Sequence, residues 1–441
     1  MRKILIAGSG GREHAIVWAI RNTSAVEIFC APGNAGMGQI ARLVNVPVND
    51  FSALAGFVEN EKIDLTFVGP EAPLAAGIVD VFTTRGLRIV GPNASAARLE
   101  GSKIFAKDFM ARHRIPTAAY RVAESPGEAI ECLRSGEFGS AQASVVIKAD
   151  GLAAGKGVVV AKDRSEAEKA IEELMVRHVA GKEAAGRVVI EEALTGPEAS
   201  LLLFADGRDY ALMPAARDHK RIGEHDTGPN TGGMGTITDV SVLQKSIEER
   251  VVREIVEPTL AGAREEGFAF KGILFLGLML TEDGPKLLEY NVRFGDPETQ
   301  AILVRLQTDL LSVFDSIYDE TLGSSNVEWV DGSSACVVAA NRGYPGKYET
   351  GAVIEGLDEV DQGSVQVFHA GTSLDANGRF TATGGRVLGI TAAAADLTTA
   401  LGVCYESLKK IHWPGMQFRR DIGLHAGSAG RTPALPVMEG F

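Results

Sequence analysis

Cysteine is scarce in this chain: Cys30, Cys132, Cys336 and Cys404 lie far apart and form no C-x-x-C pair. That spacing excludes a zinc site and a disulfide framework, and a reducing cytoplasm is the expected setting. Basic residues are in deficit too. Lys and Arg number 44 against 57 Asp and Glu, for a net charge of -13 and a pI near 5.2. A nucleic-acid partner is not expected, because a phosphate backbone is repelled where no basic patch dominates, and the sequence shows none. No apolar run reaches the length that spans a bilayer, so no membrane partner is expected. Arg2 and Lys3 ahead of an apolar run imitate a secretion signal, but the run stops at Gly8, so residues 4–7 read as a first strand. What the chain does have is 45% hydrophobic residues over 441 positions, enough for roughly two to four domains with ordinary cores.

That first strand runs into Gly8-Ser9-Gly10-Gly11-Arg12-Glu13-His14 and then a helical stretch. Strand, glycine turn and helix N-terminus make a phosphate-binding corner, where free N–H groups and the helix dipole meet an anion. A dinucleotide is disfavoured: Glu13 stands at the third fingerprint glycine, and the next strand ends in Cys30-Ala31 without a ribose-binding acid. A phosphorylated small molecule fits better. Further strands at 65–68 and 88–90 end in Gly69-Pro70-Glu71 and Gly91-Pro92-Asn93, a pattern that predicts a doubly wound parallel sheet. The turns at Gly8, Gly33-Asn34 and Gly69-Pro70-Glu71 would then gather on one rim, although each alone is explained by ordinary turn chemistry.

A helix is expected over 103–113, with Lys103 and Lys107 on one face. Strands at 145–148 and 158–160 flank a loop with Gly151, Gly155 and Gly157, and Lys148 and Lys156 supply charge to an anion the glycines let approach. It is not the usual P-loop, since Gly157 stands where a hydroxyl is needed and a strand follows. A helix over about 165–179 leads to a strand ending in Glu191 and Glu192, acids suited to sugar hydroxyls or to a solvated turn. A polar glycine loop at 227–235 follows Asp218-His219-Lys220-Arg221 and reads as functional. Helices are expected over about 241–266 and along an apolar repeat from Ile302 to Ile317. Between them, a strand puts Glu289 and Asn291 on one face with Arg293. Two hard oxygen donors about 7 Å apart, then a planar cation, suit a magnesium ion holding a phosphate; a solvated strand edge is the plain alternative. Residues 323–326 read as a linker to a strand-rich end, and residues 425–441 as a disordered tail. Lysine strand, glycine loop, acid-ended strand and Glu-Asn-Arg strand together supply what phosphoryl transfer from a nucleotide requires.

The stretches Gly8 to His14, Ala31-Pro32-Gly33-Asn34-Ala35-Gly36, Val68-Gly69-Pro70-Glu71-Ala72-Pro73-Leu74, Ile147 to Gly157, Asp218 to Arg221, Asp226 to Gly235 and Arg293 to Gln300 occur in an order that resembles the glycinamide ribonucleotide synthetases of the ATP-grasp superfamily, over about residues 1–424. The resemblance implies an N-terminal α/β substrate domain over 1–103, an ATP-grasp domain over 104–323 with a mobile lid at about 120–191, and a small C-terminal β-rich domain over 324–424. It implies a cytoplasmic ligase of de novo purine (IMP) biosynthesis, monomer or weak homodimer, using ATP with magnesium or manganese. Glycine would be activated as glycyl phosphate and joined to 5-phosphoribosylamine. Lys107, Lys148 and the loop with Gly151, Gly155, Lys156 and Gly157 would hold ATP phosphates, and Glu191 and Glu192 would lie near adenine and ribose. Glu289 and Asn291 would bind the metal, while Arg293 and Asp296, with Asp218 and Lys220, would face the acyl phosphate and glycine. Gly10, Gly11, Arg12, Glu13, Gly33, Asn34, Pro70 and Glu71 would hold phosphoribosylamine. Two segments depart from the family pattern: Ala216-Arg217 replaces Ser-Gln, and Thr236-Ile237-Thr238 replaces an aromatic-Ser-Pro segment. Another ATP-grasp ligase for a different acid and amine, and a nucleotide-binding protein without turnover, stay open as alternatives.

Overall fold

The strand Lys3–Gly8 is buried over its last five residues, as a strand covered on both faces must be. In the computed structural model, which describes residues 1–153, 157–179, 181, 186–361 and 363–424, it is the middle of a parallel sheet. The order is Arg42–Leu43, Glu27–Pro32, Lys3–Gly8, Leu65–Val68, Ile89–Val90. Strand order reverses between Lys3–Gly8 and Leu65–Val68, so a crevice opens at their carboxyl ends. Gly33 N–H donates to Gly8 O at 3.1 Å and Asn34 Nδ2 to Ser9 O at 2.9 Å, which gathers the expected turns on one rim.

A second, antiparallel sheet begins at the strand Gly284–Asn291. It runs through Lys271–Thr281, Glu198–Asp206, Ala216–Asp218, Gly235–Thr238, Ser333–Asn341 and Arg386–Ala394 to Gln366–His369. The sheet is therefore continuous across residues 323–326. Tyr120–Ala123, Val188–Glu192, Val145–Ala149 and Val158–Ala161 form a separate four-stranded antiparallel sheet with its own hydrophobic core. All four cysteines are free, and among the described residues no helix is long and apolar enough to cross a membrane. Gly155, Lys156 and residues 425–441 lie outside the described residues.

Three helices differ from expectation, each for a local reason. The apolar repeat from Ile302 to Ile317 is two helices, Glu298–Leu303 and Leu310–Tyr318. Between them Gln307 N–H bonds to Glu328 O, Val330 N–H to Arg305 O, and the Asp309 carboxylate caps the second helix at Leu311 and Ser312 N–H. The helix expected from 241 starts at Lys245, because Asp239 captures Ser241 N–H and turns the chain. It then widens into a π-turn, Val252–Val256, just before Pro258, whose missing N–H cannot bond the preceding turn. The helix expected over 165–179 is Arg164–Ile171 followed by the π-turn Glu172–Val176.

The two sheets meet through aromatic rings. Phe67 stacks on Phe314 with centroids 4.3 Å apart and also touches Phe294, which in turn lies edge-on to Phe204. Phe314 is fully buried. Phe314→Ala is expected to lower unfolding stability by about 3–5 kcal/mol in a denaturant titration, and a loss below about 1 kcal/mol would count against a packed junction there.

Candidate active site

At the crevice, Gly8, Ser9, Gly10, Arg12, Glu13, Pro32, Pro47, Pro70 and Asp296 line a cleft of about 470 Å³. Glu13 explains why its position cannot be glycine. Its carboxylate accepts from Gly10 N–H and Arg12 Nε, both at 2.6 Å, and fills the space that a side chain at Gly8 or Gly69 would need. Arg12 also donates to Phe294 O at 3.0 Å, which joins the first helix to the second sheet. Gly11, where an added Cβ would strike Gln300, begins that helix. Gly33 lies at the foot of the rim with positive φ (72°), and Asn34 turns inward, its Nδ2 donating to Ser9 O and His369 O.

On the nucleotide side, Glu191 is buried between two lysines, with Lys148 Nζ at 2.9 Å and Lys107 Nζ at 3.1 Å. The acid expected at a sugar thus orients ammonium groups, while Glu192 is more open, accepting from Ala119 N–H and facing Lys286 at 3.5 Å. Burial pushes Lys107 down to about 8 despite Glu191 beside it. Lys148 also donates to Leu288 O at 3.0 Å, so the edge of the strand Gly284–Asn291 is covered and not solvated. Lys103 Nζ reaches Gly151 O at 3.1 Å. Gly157 is packed on Ala153, where an added Cβ would come within 2.6 Å.

The strand end brings the Glu-Asn-Arg series together. Among the described residues Glu289 makes no direct ion pair; burial would raise its carboxyl, but Lys220, Lys148, Lys103 and Arg293 outweigh that and hold it below the usual range. Asn291 Oδ1 accepts from Arg293 Nη2 at 3.3 Å. Arg293 lies 3.0 Å from Glu100 and 3.3 Å from Glu71, and these acids keep it charged against the penalty of burial. Asp296 faces Arg386 at 3.1 Å and accepts from Gln300 Nε2, and burial notwithstanding its carboxyl sits low. Arg386 also donates to Gly232 O and Asp296 O, both at 2.6 Å. Lys220 is tied to Glu198 at 2.9 Å, and Asp218 is raised by burial and by Glu298. Glu100, Glu298, Gln300 and Arg386 were not singled out in the sequence. Glu298 and Gln300 lie within the Arg293 to Gln300 motif, whereas nothing local in the sequence marks Glu100 or Arg386.

The two segments that depart from the family pattern face each other. Ala216 pairs with Thr238, Arg217 with Ile237 and Asp218 with Thr236 in one antiparallel ladder. Thr238 is fully buried and hydrogen-bonded to Ser334 and Arg305, and Arg217 Nε donates to Glu198 O. The changes are accommodated within the sheet, beside Asp218.

Family models match along nearly the whole chain: the phosphoribosylglycinamide synthetase N domain over residues 2–100, its ATP-grasp (A) domain over 101–299 and its C domain over 334–425. Among curated relatives, a phosphoribosylamine–glycine ligase of Caldanaerobacter subterraneus subsp. tengcongensis is 44% identical over 421 residues, 95% of this chain and 99% of that one. One from Escherichia coli is 46% identical over 428 residues, covering 96% and 98%. The crystal structure of phosphoribosylamine–glycine ligase from Thermotoga maritima is similar with a TM-score of 0.82 at 34% identity, covering 95% of this chain and 99% of that one. A biotin carboxylase from Campylobacter jejuni, at 14% identity and a TM-score of 0.71 over 95% and 93% of the two chains, shares the fold alone. On these matches, with the strand-end constellation and the rim cleft in place, the chain belongs to the phosphoribosylglycinamide synthetase family.

Proposed function

We propose that the groups around the end of the strand Gly284–Asn291 activate glycine with ATP and pass it to 5-phosphoribosylamine, in the cytoplasm. The chain is an ATP-grasp ligase of purine biosynthesis. The observation that carries the residue assignment is Glu289: a carboxylate without a direct partner among the described residues, held ionised by four surrounding cations.

A carboxylate has no usable leaving group, so glycine must first take a phosphoryl group. Lys148 and Lys107, aligned by Glu191, neutralise the phosphates of ATP, and Glu192 receives the ribose. The residues fit a divalent ion: Glu289 and Asn291 offer one charged and one neutral hard oxygen, the incomplete set expected when phosphate oxygens and water complete the shell. Among the described residues no three-carboxylate or histidine cage competes with them. Glu289 and Asn291 would hold such an ion, which would supply charge neutralisation at the phosphates. Arg293 stabilises charge on the migrating phosphoryl group, and the ribose phosphate of the second substrate sits in the rim cleft against the glycine turn and Arg12. Its amine then meets the acyl carbon beside Asp296, which borders that cleft; the new C–N bond forms as phosphate leaves.

Purified protein with ATP and magnesium should release ADP only when glycine and freshly made phosphoribosylamine are both present. Equal release with a different acid would point to another ligase on this fold. Glu289→Ala should lower the rate by about a hundredfold or more, and an unchanged rate would take the metal role from Glu289.

Lys107 gives a proton-linked prediction. With its value at about 8, the free ammonium is partly neutral above that pH, and nearby phosphates favour its charged form. ATP binding between about pH 8 and 9 should therefore take up protons, seen by calorimetry in buffers of different ionisation enthalpy, and Lys107→Met should abolish the uptake. Uptake that persists in Lys107→Met would assign it to another group.

A further inference from the structure

The hairpin that follows Lys220 cannot hold its own shape. Among the described residues its strands Arg221–Gly223 and Thr227–Asn230 form a sheet of two, and none of residues 221–230 is buried. A two-stranded ribbon without an apolar face is marginal in water. Its turn is also strained: His225 and Asp226 are successive non-glycine residues with φ of 54° and 53°, the left-handed region that side chains adopt at a cost. The support comes from the far end of the chain. Arg419, whose side chain is 1% exposed, donates through Nη1 to Asp226 Oδ1 at 2.7 Å and to Arg221 O at 3.1 Å. Its Nε and Nη2 bind both oxygens of the buried Asp421, and Asp421 Oδ2 also accepts His225 N–H at 2.7 Å. Glu224 accepts Arg420 N–H at 3.3 Å, and His219 Nε2 accepts Gly423 N–H at 3.1 Å. Burial and Arg419 hold His219 down to about 4, so the ring stays neutral with its proton on Nδ1, toward Gly235 O.

What this segment holds in place is Lys220. The Lys220 carbonyl accepts from Thr231 N–H and Oγ1 across the base of the hairpin, and its Nζ is tied to Glu198. Among the cations that offset the burial of Glu289, Lys220 acts most strongly. The return limb is pinned separately, with Gly232 between Arg386 and Tyr344. We propose that residues 419–423 form a strap that fixes the hairpin and, through it, Lys220, and that Arg419, aligned by Asp421, is a positioning residue for the reaction at Glu289. This rests on the ligase reading above and adds a residue that lies 198 positions from Arg221 in the chain. A guanidinium suits the place because one planar fork meets the Asp421 carboxylate on one edge and a carbonyl with a second carboxylate on the other, a geometry that an ammonium does not reproduce.

In Arg419→Ala, kcat for ADP release with ATP, glycine and phosphoribosylamine should fall by about tenfold or more. The KM for ATP should stay within about twofold, because Lys107 and Lys148 lie on other elements. Guanidinium ion added at millimolar concentration should restore about a third or more of the lost rate, and ammonium should not. Amide exchange over residues 221–230 should quicken by about tenfold, with that over residues 145–149 unchanged. Arg420→Ala, in the same segment but bonded to the hairpin through its backbone, should keep kcat within about twofold. A kcat within about twofold in Arg419→Ala, a matching rise in the KM for ATP, or a loss that guanidinium leaves unrestored would each overturn the proposal. Should Arg419→Ala fail to fold, Asp226→Gly carries the comparison, since glycine keeps the left-handed backbone and removes the carboxylate. There kcat should fall by about threefold or more, and an unchanged kcat overturns the strap. Absence of ADP release in the unmodified protein would remove the ligase reading and the kcat comparison with it, while amide exchange would still decide whether Arg419 holds the hairpin.

Discussion

Arg293 is the charge around which this molecule is assembled. It lies just past the last strand of the second sheet, yet its two acidic partners come from elsewhere: Glu71 from the helix start above the parallel sheet, Glu100 from the helix that precedes the ATP-grasp region. Glu100 also accepts Val292 N–H, so it fixes the backbone that carries the guanidinium. A mostly buried guanidinium between one buried acid, Glu100, and one partly exposed acid, Glu71, is poor evidence of net stability, because desolvation offsets much of the attraction. What it does provide is registry. The observed arrangement of the two sheets satisfies all three charges together, and it sets the rim cleft beside Asp296.

The same logic extends to the C-terminal strands. Arg386 lies on a strand of the continuous sheet and bonds the carbonyls of Gly232 and Asp296 as well as the Asp296 carboxylate. Tyr344 accepts Gly232 N–H, and the His369 N–H donates to His14 Nδ1. Burial holds His14 down to about 3 and His369 to about 4, so this contact stays neutral through the physiological range. The strand-rich end of the chain is thus part of the walls of the site, through a cation on one side and a neutral histidine pair on the other.

Much of this was legible because it is local. Alternation on one strand puts Glu289 and Asn291 together, and glycine turns at strand ends mark the rim in the sequence itself. The long-range partners were not legible. Glu100 and Arg386 read as ordinary charges on a helix and a strand, and only the fold brings them to Arg293 and Asp296. Glu191 was read as a sugar acid because the sequence does not show that two lysines from different elements close on it. The apolar repeat from Ile302 to Ile317 has helical spacing, but hydrogen bonds from Gln307 and Val330 to distant residues take the middle of it. Periodicity reports which faces are apolar, not where a backbone finds a better partner.

The four-stranded sheet that flanks the nucleotide side differs in how it is attached. Its buried apolar residues, from Ala123 to Ile190, form a core of their own. Its junction with the body is polar: Ser102 Oγ and Ile104 N–H donate to Asp150 Oδ1, Lys103 to Gly151 O, and Lys148 to Leu288 O. A unit joined this way can tilt by exchanging hydrogen bonds with water or phosphate, without exposing its core. Apolar attachment would oppose the same motion over every ångström of opening. One of the two junction lysines, Lys148, is also proposed to hold ATP, and on that reading a phosphate entering there would replace Leu288 O and Glu191 as its partners.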